Sequence, residues 1–210
     1  YNLHRILNFM AKFVICYHKI PGVRYTQKNN SGEDFTKPAV IICNHQSHLD
    51  LAPLLALTHK VIVLTADWVW NNPVYRFTIR NAEFLPASSG MDAIMPQLRS
   101  LVERGYSIAV YPEGTRSMDC SLGRFRQGAF YVAQTLGIDV LPVVIYGTGK
   151  ALKKRGRLLR KWPVHMEIDR RITPEEMKSM GETTRHQASQ MRKYYQKRYT
   201  EIADRIEQDV

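Results

Sequence analysis

Pro38-Ala39-Val40-Ile41-Ile42-Cys43-Asn44-His45-Gln46-Ser47-His48-Leu49-Asp50 decides the fold. Residues 38–43 are a short apolar run bounded by turn signals, which reads as a buried strand. The chain then turns abruptly polar, and a helical pattern takes over across about 49–58. Similar apolar runs recur at 61–64, 84–85, 108–111, 140–146 and 164–168, with helical patterns at about 73–80, 91–104 and 127–137 between them. Strands alternating with helices predict an α/β fold: a single layered domain whose central, mostly parallel or mixed sheet is flanked by helices.

The 210 residues, 44% of them hydrophobic, suit one domain with a core, and no repeat or low-complexity tract divides them. The formal net charge of +11 favours anionic partners, whether lipid headgroups, nucleic acid or an acidic carrier protein. Nucleic acid is set aside, because no recognised motif is present and the basic residues are dispersed. Cys16, Cys43 and Cys120 form no CxxC pair, which argues against zinc or a disulfide framework and fits a reducing compartment. The chain begins at Tyr1 rather than Met, as part of a longer product would, and shows no cleavable signal peptide.

Residues 1–22 stand apart from the domain expected over 23–210. Leu3, Ile6, Leu7, Met10, Phe13, Val14 and Tyr17 follow helical spacing, with Phe9, Ile15 and Cys16 widening the apolar face. Charges interrupt the segment, and it lacks the ~20 apolar residues of a membrane span. It reads either as an amphipathic helix lying in a membrane surface or as a helix capping the core. Pro21-Gly22 ends it, and residues 27–37 read as a loop. From about 183 to 207, Met191, Tyr195, Tyr199, Ile202 and Ile206 mark a packed amphipathic helix whose charges read as a solvated face.

The chemistry gathers after two of the strands. A neutral imidazole accepts a hydroxyl proton near pH 7, and a carboxylate that fixes its tautomer improves it. His45 and Asp50, five apart, would sit about 140° from each other on a helix. They meet only across a strand-to-helix turn; alone, the pair is a weak signal and reads more readily as a polar His capping a helix. Tyr111-Pro112-Glu113-Gly114-Thr115-Arg116-Ser117 follows a second strand. Its Pro-Glu-Gly turn lets backbone approach a ligand, and Arg116 suits phosphate or carboxylate oxygens, with Glu113 able to orient that Arg or a ligand hydroxyl. A loop with a surface ion pair is the plainer reading. Phe125-Arg126-Gln127-Gly128 opens a helix, where anions are favoured. Val140-Leu-Pro142-Val-Val-Ile145 is by itself a core or edge strand. His48 reads as a polar turn residue, Ser47 as a cap, and Cys43 as a buried, inert thiol. Trp68, Trp70, Tyr75 and Phe77 suit an acyl tunnel, a lipid contact or the core, and the basic run at 153–161 suits anionic lipid, an acidic carrier or solvent.

Together NHQSHLD, YPEGTRS, FRQG and LPVVI, in this order, resemble the glycerolipid acyltransferases that include lysophosphatidic acid acyltransferases. The resemblance implies His45 as general base and Asp50 as its partner. It implies Glu113, Gly114, Thr115 and Arg116 around the phosphate of a lipid acceptor, with Arg126 and Gly128 matching a basic segment. It further implies an acyl-CoA or acyl-carrier-protein co-substrate, no metal or resident cofactor, and a peripheral place on the cytoplasmic membrane face. Two basic residues usual in the family are missing, at Ala82–Ala87 and at Ala66-Asp67-Trp68; Arg76, Arg80 and Arg116 are candidates to compensate. Two alternatives follow from those losses and from the fold: an O-acyltransferase that completes an aminolipid from a hydroxy-acyl amino acid, and a non-catalytic membrane-binding relative.

Overall fold

The structure, a computed structural model, describes residues 2–16, 22–65, 81–86 and 90–208. The expected helix at 73–80, the aromatic cluster from Trp68 to Phe77, Arg76, Arg80, Ala66-Asp67-Trp68 and residues 17–21 lie outside the described residues.

Among the described residues a mixed seven-stranded sheet forms the centre. Its strands are β1 (Val23–Asn29), β2 (Val40–Cys43), β3 (Val61–Thr65), β4 (Leu85–Pro86), β5 (Ser107–Val110), β6 (Val140–Tyr146) and β7 (Trp162–Ile168), in the order β1-β7-β6-β2-β5-β3-β4. From β6 to β4 neighbouring strands run parallel; β7 runs against β6, and β1 runs parallel to β7. Every residue of β2 and β6 is buried, which explains why both read as unbroken apolar runs.

The sequence reading placed residues 27–37 in a loop, but β1 extends through Asn29. Only Val23 is fully buried in this polar edge strand, so it carries no apolar run to be recognised. Pro142 lies inside β6, opposite Ile42, where it can donate no hydrogen bond. A buried tyrosine repairs the gap: the Tyr195 hydroxyl donates to the Ile42 carbonyl and accepts from Val143 N–H at 3.1 Å.

Helices cover the sheet: α1 (Asn2–Cys16), α2 (Leu51–Leu57), α3 (Met91–Glu103), α4 (Gly128–Leu136), α5 (Thr148–Ala151), α6 (Pro174–Ser179) and α7 (Thr184–Glu207). Thr173 and Glu176 close a reciprocal capping box on α6, with Pro174 opening the helix. α7 buries Met191, Tyr195, Tyr199 and Ile202 as its spacing predicts. Its charges are not simply solvated: Arg198 and Arg205 pair with the buried Glu167, and Arg198 also holds Asp169.

α1 is turned differently from its apolar pattern. His4, Asn8, Ala11 and Ile15 face inward, and Asn8 donates to the Leu55 carbonyl of α2 at 2.7 Å. Phe9 is 70% exposed, with Ile6, Met10 and Phe13 beside it. The helix therefore both covers the domain and presents an apolar stripe outward.

Candidate active site

β2 and β5 are parallel neighbours, so the segments after Cys43 and Val110 emerge side by side at the carboxyl edge of the sheet. That edge is where open α/β sheets place their ligands. Asn44 anchors the first segment: its side chain donates to the Ile145 carbonyl and accepts from Ile145 N–H, both at 2.8 Å. The backbone then turns into a 3-10 turn (His48–Asp50) capped by Ser47. This turn folds Asp50 back under His45.

The Asp50 carboxylate is buried, and one oxygen accepts from His45 Nδ1 at 2.9 Å, Gln46 N–H at 2.7 Å and Ser47 N–H at 2.9 Å. An ionised carboxylate only accepts, so Nδ1 carries the proton and the Nε2 lone pair remains available. The imidazole is 22% exposed and stacks on the Tyr111 ring, with centroids 4.0 Å apart. Tyr111 belonged to a recognised motif, but nothing in its spacing announced this stacking.

Glu113 acts on backbone rather than on Arg116. Its two oxygens accept from His45 N–H and Gly123 N–H, each at 2.8 Å. Burial pushes its carboxyl above the usual range, against the pull of those donors. Glu113 thereby ties the His45 turn to the loop ahead of α4. Gly114 follows with φ +67°, and a Cβ there would lie 2.8 Å from the Arg126 guanidinium carbon. Thr115 accepts from Lys154 Nζ at 2.9 Å, and Arg116 donates to the Lys154 carbonyl at 3.3 Å. Gly128 packs against Met91 at the start of α4.

An open cleft of about 990 Å³ begins at Glu113 and runs between the 115–127 segment and α7. Arg116, Arg124, Arg126, Arg185 and Arg192 line it. Arg116 and Arg126 were readable as anion ligands; the two arginines of α7 were hidden in a helix whose charges looked merely solvated. His45 and Asp50 lie beside the cleft, behind Glu113, and Gly128 is not part of its lining.

The remaining candidates have structural places. His48 is exposed at the head of the 3-10 turn. Ser47 caps that turn and donates to the Leu152 carbonyl at 2.8 Å. Cys43 is fully buried, and burial raises its thiol well above the usual range. Gln46, which drew no attention in the sequence, bridges Tyr199 and the Cys120 carbonyl.

The profile of the family described as Acyltransferase matches residues 22–146. The chain is 34% identical over 120 residues to the chloroplastic 1-acyl-sn-glycerol-3-phosphate acyltransferase BAT2 of Brassica napus, covering 55% of this chain and 35% of that one. It is 24% identical over 195 residues to 1-acyl-sn-glycerol-3-phosphate acyltransferase alpha of Mus musculus, covering 87% and 66%. The chain thus spans about a third of the length of the chloroplastic relatives from Brassica napus and Arabidopsis thaliana. The crystal structure of the 1-acyl-sn-glycerophosphate acyltransferase PlsC from Thermotoga maritima shares the fold, with TM-score 0.75 over 95% of this chain and 79% of that one at 19% identity.

Proposed function

The chain belongs to the Acyltransferase family, and from that premise we propose that it moves a fatty acyl group from a thioester to the free hydroxyl of a lysophospholipid such as 1-acylglycerol-3-phosphate. The observation that carries the proposal is the His45–Asp50 pair at the carboxyl edge of β2, beside an arginine-lined cleft.

In this mechanism His45 Nε2 takes the proton from the acceptor hydroxyl as its oxygen attacks the thioester carbonyl carbon. The new C–O bond forms and the tetrahedral intermediate collapses. The C–S bond then breaks, and the leaving thiolate recovers the proton from His45. Asp50 steadies the imidazolium between the two transfers. Glu113 and Tyr111 position the imidazole through its backbone and its ring face. Arg116 and Arg126 hold the acceptor phosphate, with Gly114 and Thr115 shaping that end of the cleft. Acyl-CoA or acyl-carrier protein serves as co-substrate, and the sequence of bonds needs no resident metal or cofactor.

The membrane surface is the place where such an acceptor is found. No helix among the described residues is long and apolar enough to cross a membrane. The exposed stripe of α1 suits an interfacial position instead. Between Leu152 and Trp162 lie Lys153, Lys154, Arg155, Arg157, Arg160 and Lys161, around Leu158, which is 81% exposed. Each such cation is worth about 1 kcal/mol near an anionic leaflet, which favours the cytoplasmic face.

The test is an acceptor panel presented in liposomes, with labelled acyl-CoA and acyl-carrier protein as donors. Transfer to lysophosphatidic acid is expected. Preference for a hydroxy-acyl amino-acid lipid would replace this acceptor, and absence of transfer to every acceptor would leave a membrane-binding protein.

A further inference from the structure

β5 ends at Val110 opposite Ile42, so Tyr111 leaves the sheet beside the segment that carries His45. Pro112 favours extended backbone at the residue before it, and the Tyr111 carbonyl accepts from Gly114 N–H at 3.0 Å. The Tyr111 ring is thus fixed at a strand end. The His45 imidazole lies nearly parallel to it, tilted by 20°, with centroids 4.0 Å apart.

The imidazole does not need this ring merely to stay in place. Asp50 receives its Nδ1 proton, Glu113 receives the His45 N–H, and Ser117 N–H donates to the His45 carbonyl at 2.9 Å. The tyrosine hydroxyl offers no further anchor, being buried without a hydrogen-bond partner among the described residues. Burial, reinforced by Cys43 and Asp50, pushes the phenol well above its usual range, so it stays neutral. What the position offers His45 is the face of an uncharged aromatic ring, and that face is electrically negative.

During transfer the imidazole gains a proton at Nε2, and with it a full positive charge, before the leaving thiolate recovers the proton. A cation within about 6 Å of an aromatic centroid is attracted by the ring face, more strongly where water is excluded. We propose that Tyr111 is a positioning residue with an electronic role: its π face stabilises the protonated His45 ring in the transition state and so speeds proton removal. This inference rests on the acyl-transfer reading and adds a residue to its mechanism. The neutral imidazole stacks as well but gains less, so the effect falls on kcat rather than on substrate binding. Among the described residues, Asp50 and an ionised Glu113 also favour the cation. His48 on the adjoining turn and Arg116 beside Ser117 oppose it, and the buried Cys43 thiol is held neutral.

The test fills position 111 with phenylalanine bearing no, one, two or three ring fluorines, which drain the negative face while nearly keeping the shape of the ring. Tyr111→Phe should keep kcat within about threefold of the parent, and kcat should then fall stepwise to roughly a tenth across the fluorinated series. Tyr111→Leu, which has no π face, should match the trifluorinated protein. The KM values for the thioester and the lysophospholipid should stay unchanged, and thermal melting checks the fold of each variant. A kcat indifferent to fluorination, or a loss that appears as a rise in KM, would overturn the inference. A readout independent of activity is NMR titration of the chain labelled at its seven histidines, with His45 assigned by comparison with His45→Gln. The midpoint of His45 protonation should move to lower pH with each added fluorine, and an unmoved midpoint would overturn the inference. A chain that transfers acyl groups yet ignores fluorination loses this inference and keeps its proposed function. A chain with no transfer from any donor loses the proposed function, and the midpoint series still decides whether the Tyr111 face stabilises the imidazolium.

Discussion

Asp50→Asn separates the charge of the carboxylate from its shape. One Asp50 oxygen receives the His45 ring N–H and two backbone N–H groups, while the other is buried without a partner among the described residues. The two backbone donors require an acceptor in the shared position, so the Asn carbonyl should occupy it and its NH₂ should take the unpartnered place. The turn and the tautomer survive, and the negative charge is lost. At 2.9 Å a carboxylate and an imidazolium attract by about 6 kcal/mol at an effective dielectric of about 20. Water reaching the 22%-exposed ring screens roughly half of that. The remaining ~3 kcal/mol corresponds to a roughly hundredfold lower kcat. Thiol release from a thioester, followed with saturating acceptor, measures it, and thermal melting checks the fold. A kcat within threefold of the parent in a folded Asp50→Asn variant would refute the electrostatic role. Asp50→Ala is a poorer probe, because it leaves two buried N–H groups unpaired at about 1–3 kcal/mol each.

Gly114→Ala forces a left-handed φ on a residue with a Cβ, costing roughly 1–2 kcal/mol, and pushes on Arg126. The acceptor KM should rise several-fold with kcat little changed; an unaltered KM would detach Arg126 from the acceptor. Tyr195→Phe removes the hydroxyl that serves Ile42 and Val143 beside Pro142, and urea unfolding should show a loss of about 3 kcal/mol. A loss under about 1 kcal/mol would mean that the β2–β6 ladder closes without it. Burial would raise the Glu167 carboxyl, but hydrogen bonds from Asn30 and Arg205 pull it down to about 2 from 4.5. Its stabilisation is therefore complete above pH ~4.5 and disappears as the pH falls through about 2. Glu167→Gln should lower stability at neutral pH and flatten the decline across that acid range; an unchanged acid limb would place the sensitivity elsewhere.

The sequence conveyed those parts of the fold whose physics is local. The fully buried strands β2 and β6 show as apolar runs, although the runs do not reveal which strands pair, and the short α6 went unread despite the Thr173 and Glu176 capping box in its sequence. The motif at 44–50 marks a strand-to-turn change, yet the meeting of His45 and Asp50 depends on the 3-10 turn that Ser47 caps. β1 was missed because an edge strand with one fully buried residue has no apolar signature. α1 misled in its facing because the polar His4 and Asn8 pack inward with Ala11 and Ile15, whereas Ile6, Phe9, Met10 and Phe13 of the apolar pattern are exposed. Glu113 looked like a partner for Arg116, but β2–β5 adjacency gives its oxygens to backbone from two other segments. Arg185 and Arg192 joined the cleft only through the packing of α7, far along the chain from the motifs they face.

His45→Ala tests the account at its centre. The substitution removes the base and its stacking on Tyr111 while leaving Asp50 its two backbone donors, so the chain should stay folded. Acyl transfer from a thioester to a lysophospholipid in liposomes should fall by about 10²–10⁴-fold, the usual worth of a general base. Transfer by the folded variant at a rate close to the parent's would contradict the assignment of proton removal to His45.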